Sequence, residues 1–233
     1  EVSIRGYKPN DSVHVGQIKK ACTLLKRAKK PLFLLGGGVN IAGANEVMLK
    51  LAEYTQIPVI TTIMGKGSIP TTHDLYLGNI GIHGSYAANH AVSECDLLIS
   101  IGTRFNDRIT GKISEFAKDA KIVHIDIDSA SISKNIVVDI PIVADAKLAI
   151  EKLIEYGAPL KIEKWVEQTL EWKEKYPVVL PKHYEAGDDE PANVYAAIKE
   201  ISRRGEEDQI TVVGNGSACV VGGHAYEMKK GQR

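Results

Sequence analysis

The sequence predicts an α/β fold built on a doubly wound parallel sheet, and three observations predict it. From residue 12 to residue 156, short apolar runs alternate with helical patterns, the rhythm of a parallel sheet covered by helices. Glycines or charged residues close several of these runs, and the strand ends of an open α/β sheet are where ligands collect. The composition is that of an ordinary globular protein: of 233 residues, 44% are hydrophobic and 25% charged, which argues against a disordered chain.

The first helical pattern, HVGQIKKACTLLKRAK, puts Val15, Ile18, Cys22 and Leu25 on one face and closes on lysines that suit a helix C-terminus. The run PLFLLG (31–36) follows as a strand. A second helix, ANEVMLKLAEYTQ, repeats the spacing with Val47, Met48, Leu51 and Tyr54. PVITT (58–62), DLLISIG (96–102), KIVHIDI (121–127) and IPIVAD (140–145) supply the other strands. The glycine-rich stretch IMGKGSIPTTHDLYLGNIGIHGSYAANHAV reads as a long irregular loop ending in a short helix, and long loops inside compact domains are often functional. The helix DAKLAIEKLIEY closes this domain, 1–156.

Residues 157–190 change character and read as a linker: a charged helix, KIEKWVEQTLEWKEKY, carries both tryptophans, and HYEAGDDEP has little to bury. Residues 191–233 read as the cut-off start of a second α/β domain. Pro191 opens a helix there, PANVYAAIKEISRR, and residues 210–213 form a strand running into GNGSACVVGG. One helix and one strand make no independent core, so this segment is expected to be loose or to borrow packing from a neighbouring chain.

Lys+Arg 29 against Asp+Glu 29 leaves no net charge, and hence no electrostatic footprint for nucleic acid or for an anionic membrane surface. Small molecules or other protein surfaces are the expected partners. No apolar run reaches the length of a membrane span, and the N-terminus EVSIRGYKPN lacks the pattern of a signal segment. Cys22, Cys95 and Cys219 are far apart, with neither zinc spacing nor a disulfide framework, so a reducing cytoplasm is the expected location.

Gly36, Gly37 and Gly38 follow an apolar run and precede a helix, where backbone amides can approach a phosphate. The alternative is a tight strand-to-helix turn. A dinucleotide fingerprint needs a third glycine where this chain has Ile41, and PVITT lacks the terminal acid that holds a ribose, which weighs against a plain NAD site. DLLISIG runs into Thr103, Arg104, Phe105, Asn106, Asp107 and Arg108; the two guanidiniums suit a pyrophosphate. KIVHIDI brings Asp126 and Asp128 to another strand end, as acceptors for ribose or adenine groups. Each cluster could instead be a helix cap or a surface ion pair. His83, framed by Gly81 and Gly84, can come close to a flat ring or pack as an ordinary loop residue. No G-x-S-x-G elbow, H-E-x-x-H motif or cysteine beside a base offers a catalytic residue, and no metal-ligand set is present.

The stretches TTIMGKGSIP, LGNIGIHGSYAANHAV, LLISIGTRFNDRITGK and KIVHIDIDSASISKN, in this order, closely resemble the middle domain of the acetohydroxyacid synthase (acetolactate synthase) catalytic-subunit family. The similarity runs from about residue 12 to residue 156. It implies a Rossmann-like middle domain of a thiamine-diphosphate- and magnesium-dependent transferase that condenses two pyruvates to 2-acetolactate in branched-chain amino-acid synthesis. The family binds FAD in this domain without a net redox step. It also implies a homo-oligomer and a possible regulatory subunit. By the same resemblance, Gly36, Gly37 and Gly38 lie at the pyrophosphate and ribityl region of FAD. Thr62, Ile63, Met64 and His83 line the flavin side, and Gly102, Thr103, Arg104, Arg108 and Ile109 hold the extended cofactor. Asp126, Ile127, Asp145 and Ala146 surround the adenosine. The family commonly has RFDDR where this chain has RFNDR, so Asn106 stands in for a cofactor-contacting acid.

The family's catalytic glutamate and its magnesium motif have no counterpart here, so no catalytic residue is assigned and the chain alone is expected to be inactive. Gly214, Asn215, Gly216 and Ser217 resemble that metal motif only superficially, and the family's usual G-Q-H-Q-M stretch is GNGSACV here. Two other identities are weighed: a sister carboligase or decarboxylase with an empty or different nucleotide site, and an NAD-dependent deacylase, which would need four clustered cysteines.

Overall fold

A computed structural model describes residues 12–185, 187 and 190–232. The N-terminal stretch tested for a signal, residues 186, 188 and 189 of the polar linker, and Arg233 lie outside the described residues.

Six parallel strands form one sheet in the order β3-β2-β1-β4-β5-β6: β1 Pro31–Leu35, β2 Val59–Thr61, β3 Tyr76–Asn79, β4 Leu97–Ile101, β5 Lys121–Asp126 and β6 Ile140–Val143. This is the doubly wound arrangement the apolar rhythm predicts. The chain builds outward from β1 to β3, then returns to lay β4 against the other side of β1, in register from Pro31 opposite Leu97 to Leu35 opposite Ile101. Every residue of β1 and β4 is buried, which is why these runs read as continuously apolar rather than alternating.

Helices α1 (Val15–Leu25), α2 (Gly37–Ile41), α3 (Asn45–Thr55), α4 (Tyr86–Glu94), α5 (Asp107–Thr110) and α6 (Ala146–Tyr156) intervene between the strands or flank them, and α7 (Glu163–Lys175) follows. Helix α6 packs on both α1 and α3, while α4 packs against α7. Met48, Leu51, Ala52 and Thr55 form the buried face of α3. Tyr54, placed on that face by its spacing, stands 39% exposed instead, because the stripe turns through Thr55. The charged helix α7 seats Trp165 in the main core, where its indole Nε1 donates to the Pro31 carbonyl at 2.9 Å.

The strand β3 corrects the irregular part of the reading of residues 63–92, while the short helix expected at its end is α4. The Val59–Tyr76 and Thr61–Asn79 pairings with β2 carry β3 as a sixth strand. Two more corrections fall in the C-terminal segment, which holds α8 (Val194–Arg204) and α9 (Ser217–Ala225). Pro191 does not open α8: Asn193 caps it, its side chain accepting from the Tyr195 amide at 2.9 Å. Residues 210–213 form no strand. Their β-branched side chains favour a strand, but no strand among the described residues pairs with them, and Val212 stands 89% exposed. The segment packs in part on its own chain. The Gly223 carbonyl accepts from Lys66 Nζ and from Asn79 Nδ2, each at 2.7 Å. The Met228 amide donates to Thr71 Oγ1 at 2.7 Å, and the Thr71 amide donates to the Met228 carbonyl at 2.9 Å.

Candidate active-site crevice

The strand order reverses between β1 and β4, the switch point at whose carboxyl ends open α/β sheets place their ligand crevice. Two glycine turns meet there. The Gly36 amide donates to the Ile101 carbonyl at 2.8 Å and the Gly38 amide to the Gly102 carbonyl at 3.1 Å. A Cβ on Gly36 would fall 2.1 Å from the Gly102 oxygen, and one on Gly38 would fall 2.6 Å from the Gly102 Cα. Gly102 itself has φ +65, a conformation that disfavours side chains. The glycines are therefore required by backbone-to-backbone packing, and two of the three amides proposed for a phosphate already have acceptors. Gly37 faces Met64, whose Cβ and carbonyl lie 3.2 and 3.3 Å from where a Cβ would sit.

Past β2, Thr62 caps a short turn by accepting from the Gly65 amide at 3.1 Å, which presents Ile63 and Met64 outward, 48% and 73% exposed. Past β4, the chain is pinned from below. His124 is fully buried, and its Nε2 lies 2.8 Å from the Thr103 carbonyl. Because a carbonyl only accepts, this nitrogen carries the proton. Asn135 Nδ2 donates to the Arg104 and Phe105 carbonyls, both at 3.0 Å. Between these two clamps Phe105 takes φ 51 and buries its ring edge-on to His124 and Phe116. The reversal turns Arg104, Asn106 and Arg108 to the exposed side. Asn106 stands at the N-cap of α5 but makes no side-chain cap bond, which leaves its amide for other partners. Among the described residues no carboxylate pairs with Arg104 or Arg108 within ion-pair distance.

The His83 turn abuts the same loop: the Ile82 amide donates to the Arg108 carbonyl at 3.0 Å, and a Cβ on Gly81 would fall 3.3 Å from the Ile109 Cα. His83 is exposed. At the end of β5, Asp126 accepts from the Asp128 amide at 2.9 Å and lies 3.8 Å from His124 Nε2. Burial pushes the Asp126 carboxyl above the ordinary range and the His124 imidazole below it. Asp128 is held below the ordinary range by the bonds it accepts from the Ala130 amide and Ser131 Oγ. Ile127 is partly exposed. Asp145 caps α6 by accepting from the Leu148 amide at 3.1 Å, with one oxygen left over, and Ala146 is buried beside it.

The crevice thus brings residues 36–38, 62–64, 83 and 102–109 around the ends of β1 to β4. It sets Asp126 and Ile127 beside Arg104, whose charge acts on both Asp126 and Asp128. The positioning residues His124 and Asn135 escaped sequence reading. The one available signal was a histidine on the inward side of the run KIVHIDI.

The family description "Thiamine pyrophosphate enzyme, central domain" matches residues 18–153, the stretch that holds all six strands. The chain belongs to this thiamine pyrophosphate enzyme family. Among its relatives, a probable acetolactate synthase large subunit of Methanocaldococcus jannaschii is 52% identical over 176 residues, 74% of this chain and 30% of the relative. A probable acetolactate synthase large subunit of Methanococcus aeolicus is 56% identical over 155 residues, 66% of this chain and 26% of the relative. The acetolactate synthase large subunit of Corynebacterium glutamicum is 39% identical over 219 residues, 93% of this chain, which is too much to leave out the C-terminal segment, and 35% of the relative. The chain spans about a third of the length of these relatives, and Cys22, Cys95 and Cys219 are free thiols. Among the described residues no helix is long and apolar enough to cross a membrane.

Proposed function

We propose that this chain is the FAD-binding central part of an acetolactate synthase, the thiamine-diphosphate-dependent transferase that joins two pyruvates into 2-acetolactate. The observation that carries the FAD assignment is the pair of guanidiniums, Arg104 and Arg108, without carboxylate partners beside the switch-point crevice. A pyrophosphate supplies the direct acceptors that neither guanidinium has. Gly37 contributes the amide of its trio for which no strand-end acceptor is needed, and Asn106 adds a free amide group. Ile63 and Met64 offer the apolar surface for a flavin ring, with His83 across the crevice. Asp126, Ile127, Asp145 and Ala146 take the adenosine end. FAD, when bound, supplies a flat ring system and a dianionic linker whose role here is structural. The side chains of this domain bind and orient it.

The proposal extends to the whole protein: thiamine diphosphate with magnesium as its other cofactors, pyruvate as substrate, a homo-oligomer with a regulatory subunit, and a cytoplasmic location. It divides the chain at residues 156 and 190 into the FAD domain, a linker and the start of the thiamine-diphosphate domain. The isolated chain forms no acetolactate from pyruvate. A second reading, a sister carboligase with an empty site, draws on the interlocked glycines, which need no ligand to explain them.

Titration with FAD and with NAD, followed by flavin fluorescence and calorimetry, separates these readings. Tighter binding of FAD is expected. Equal or tighter binding of NAD, or no binding of FAD, overturns the assignment.

A further inference from the structure

A cavity of about 210 Å³ lies between β3, the stretch following α7, and the C-terminal helices. Lys66, Lys173, Lys199, His224 and Glu227 all line it. Their charges do not cancel. Lys199 pairs with Glu227 at 3.2 Å, and that carboxylate is shared with Arg203 at 3.9 Å, which also bonds Glu200. Lys66 has a backbone carbonyl, Gly223 O, as its hydrogen-bond acceptor at 2.7 Å. Lys173 Nζ reaches the backbone carbonyls of His73 and Asp74, at 3.3 and 3.4 Å. The Asp74 carboxylate acts on Lys173 through its charge alone. Counting Asp74 against Lys173 and Glu227 against Lys199 leaves one positive charge over among the described residues, with Glu227 also acting on Lys66 and Lys173 through its charge. His224 Nε2 is buried in the same wall with no partner.

An ammonium has three donors, so Lys66 and Lys173 both keep hydrogens beyond the carbonyls they touch. Partly buried cations whose hydrogen-bond acceptors are neutral carbonyls are costly, and an anion entering the cavity relieves that cost. Much of the remaining wall is apolar, including Leu77, Ala87 and Val178, with the polar Thr71, Asn79 and Ser85 set among these side chains. One excess positive charge, spare ammonium donors and a largely apolar remainder match a small acid with one carboxylate and a short hydrocarbon body.

We propose that this cavity binds a small aliphatic monocarboxylate, with Lys66 and Lys173 as anchors for its carboxylate and the apolar wall holding its tail. The site uses none of the cofactor residues of the crevice and does not depend on that assignment, although it adjoins the flavin side, where Ile63 packs against Gly223 and His83 acts on His224. Burial lowers the pKa of Lys66 to about 8 and depresses that of Lys173 as well. A bound carboxylate raises both, since charge binding and proton binding are reciprocally linked.

The test is calorimetric titration of the whole 233-residue chain with isovalerate, its neutral isostere isovaleramide, and inorganic phosphate, with and without FAD. Saturable binding of isovalerate is expected, at least ten-fold tighter than the amide and tighter than phosphate, and unchanged by FAD. Lys173→Met should weaken isovalerate at least five-fold, as should Lys66→Gln. Lys66→Gln also removes the bond to Gly223, so Lys173→Met is the variant that keeps the test decisive if Lys66→Gln fails to fold. An NMR titration of the lysine side chains should show the Lys66 midpoint rising when isovalerate is present. No saturation, equal affinity for the amide, preference for phosphate, competition by FAD, or parent-like binding by Lys173→Met would each overturn the proposal.

Discussion

The glycines of residues 36–38 and those of residues 214–216 look alike in sequence: both follow an apolar run and both precede a helix. The structure treats them differently. The first set ends β1 inside a six-stranded sheet, and the neighbouring turn of β4 presses against it so closely that Gly36, Gly38 and Gly102 have no room for a Cβ. The second set stands in open space. A Cβ on Gly214 or Gly216 would meet nothing within 4 Å, and residues 210–213 before it pair with no strand. A glycine cluster marks a built turn only where flanking strands force two backbones together. The crevice and its unpaired arginines sit at the first cluster, not the second.

Substitution at the two clusters gives the largest contrast. Gly36 has φ -103 and ψ -178, open to any residue, so the whole cost of Gly36→Ala is steric: its methyl lands 2.1 Å from a backbone oxygen. We expect a loss on the order of 3 kcal/mol in urea unfolding. Gly214→Ala should change stability by less than about 0.5 kcal/mol. Similar losses at both sites would break the comparison.

The next effect concerns the joint between the two regions. Lys66 has a pKa of about 8 against an ordinary 10.5, lowered chiefly by burial. Below pH 8 the ammonium is present in both folded and unfolded chains, and its burial penalty is fully felt. Between about 8 and 10.5 the folded chain gives up a proton that the unfolded chain still holds, so stability rises with pH through this window. Relative to Lys66→Met, the parent should gain about 2 to 3 kcal/mol across it, measured by denaturant melts at the two ends. A flat difference between parent and variant would show that Lys66 is not buried against Gly223.

A smaller effect separates α7 from the stretch after α8. Trp165→Phe removes the indole bond to Pro31 and should cost about 1 kcal/mol or slightly more. Val212→Thr, at a side chain 89% exposed, should stay within about 0.5 kcal/mol. Equal costs would mean that residues 210–213 are packed after all.

These contrasts follow what was legible in the sequence. The strands β1 and β4 announced themselves because burial on both faces demands near-continuous apolar runs. The strand β3 did not: LYLGN is short, interrupted by Gly78 at φ +119, and becomes a strand through its pairing with β2. Residues 210–213 erred the other way, since β-branched composition states a preference that only a neighbouring strand can satisfy. At the site, Arg104, Arg108 and Asp126 were readable because charged residues follow apolar runs. His124 and Asn135, which set the loop, were not, because their partners lie 21 to 31 residues away. Lys66 meets Gly223 across 157 residues, beyond any local pattern.

The most direct test of the central claim, that the switch-point crevice holds FAD through its unpaired arginines, compares one arginine from each region. Flavin fluorescence titrations would be run on the parent, on Arg104→Ala and on Arg203→Ala, whose guanidinium already pairs with Glu200 at 3.2 Å in the C-terminal segment. FAD should bind the parent and Arg203→Ala alike, and Arg104→Ala about ten-fold or more weakly, the loss of one charge-assisted contact. Unchanged FAD affinity in Arg104→Ala, or an equal loss in both variants, would contradict the assignment of the crevice.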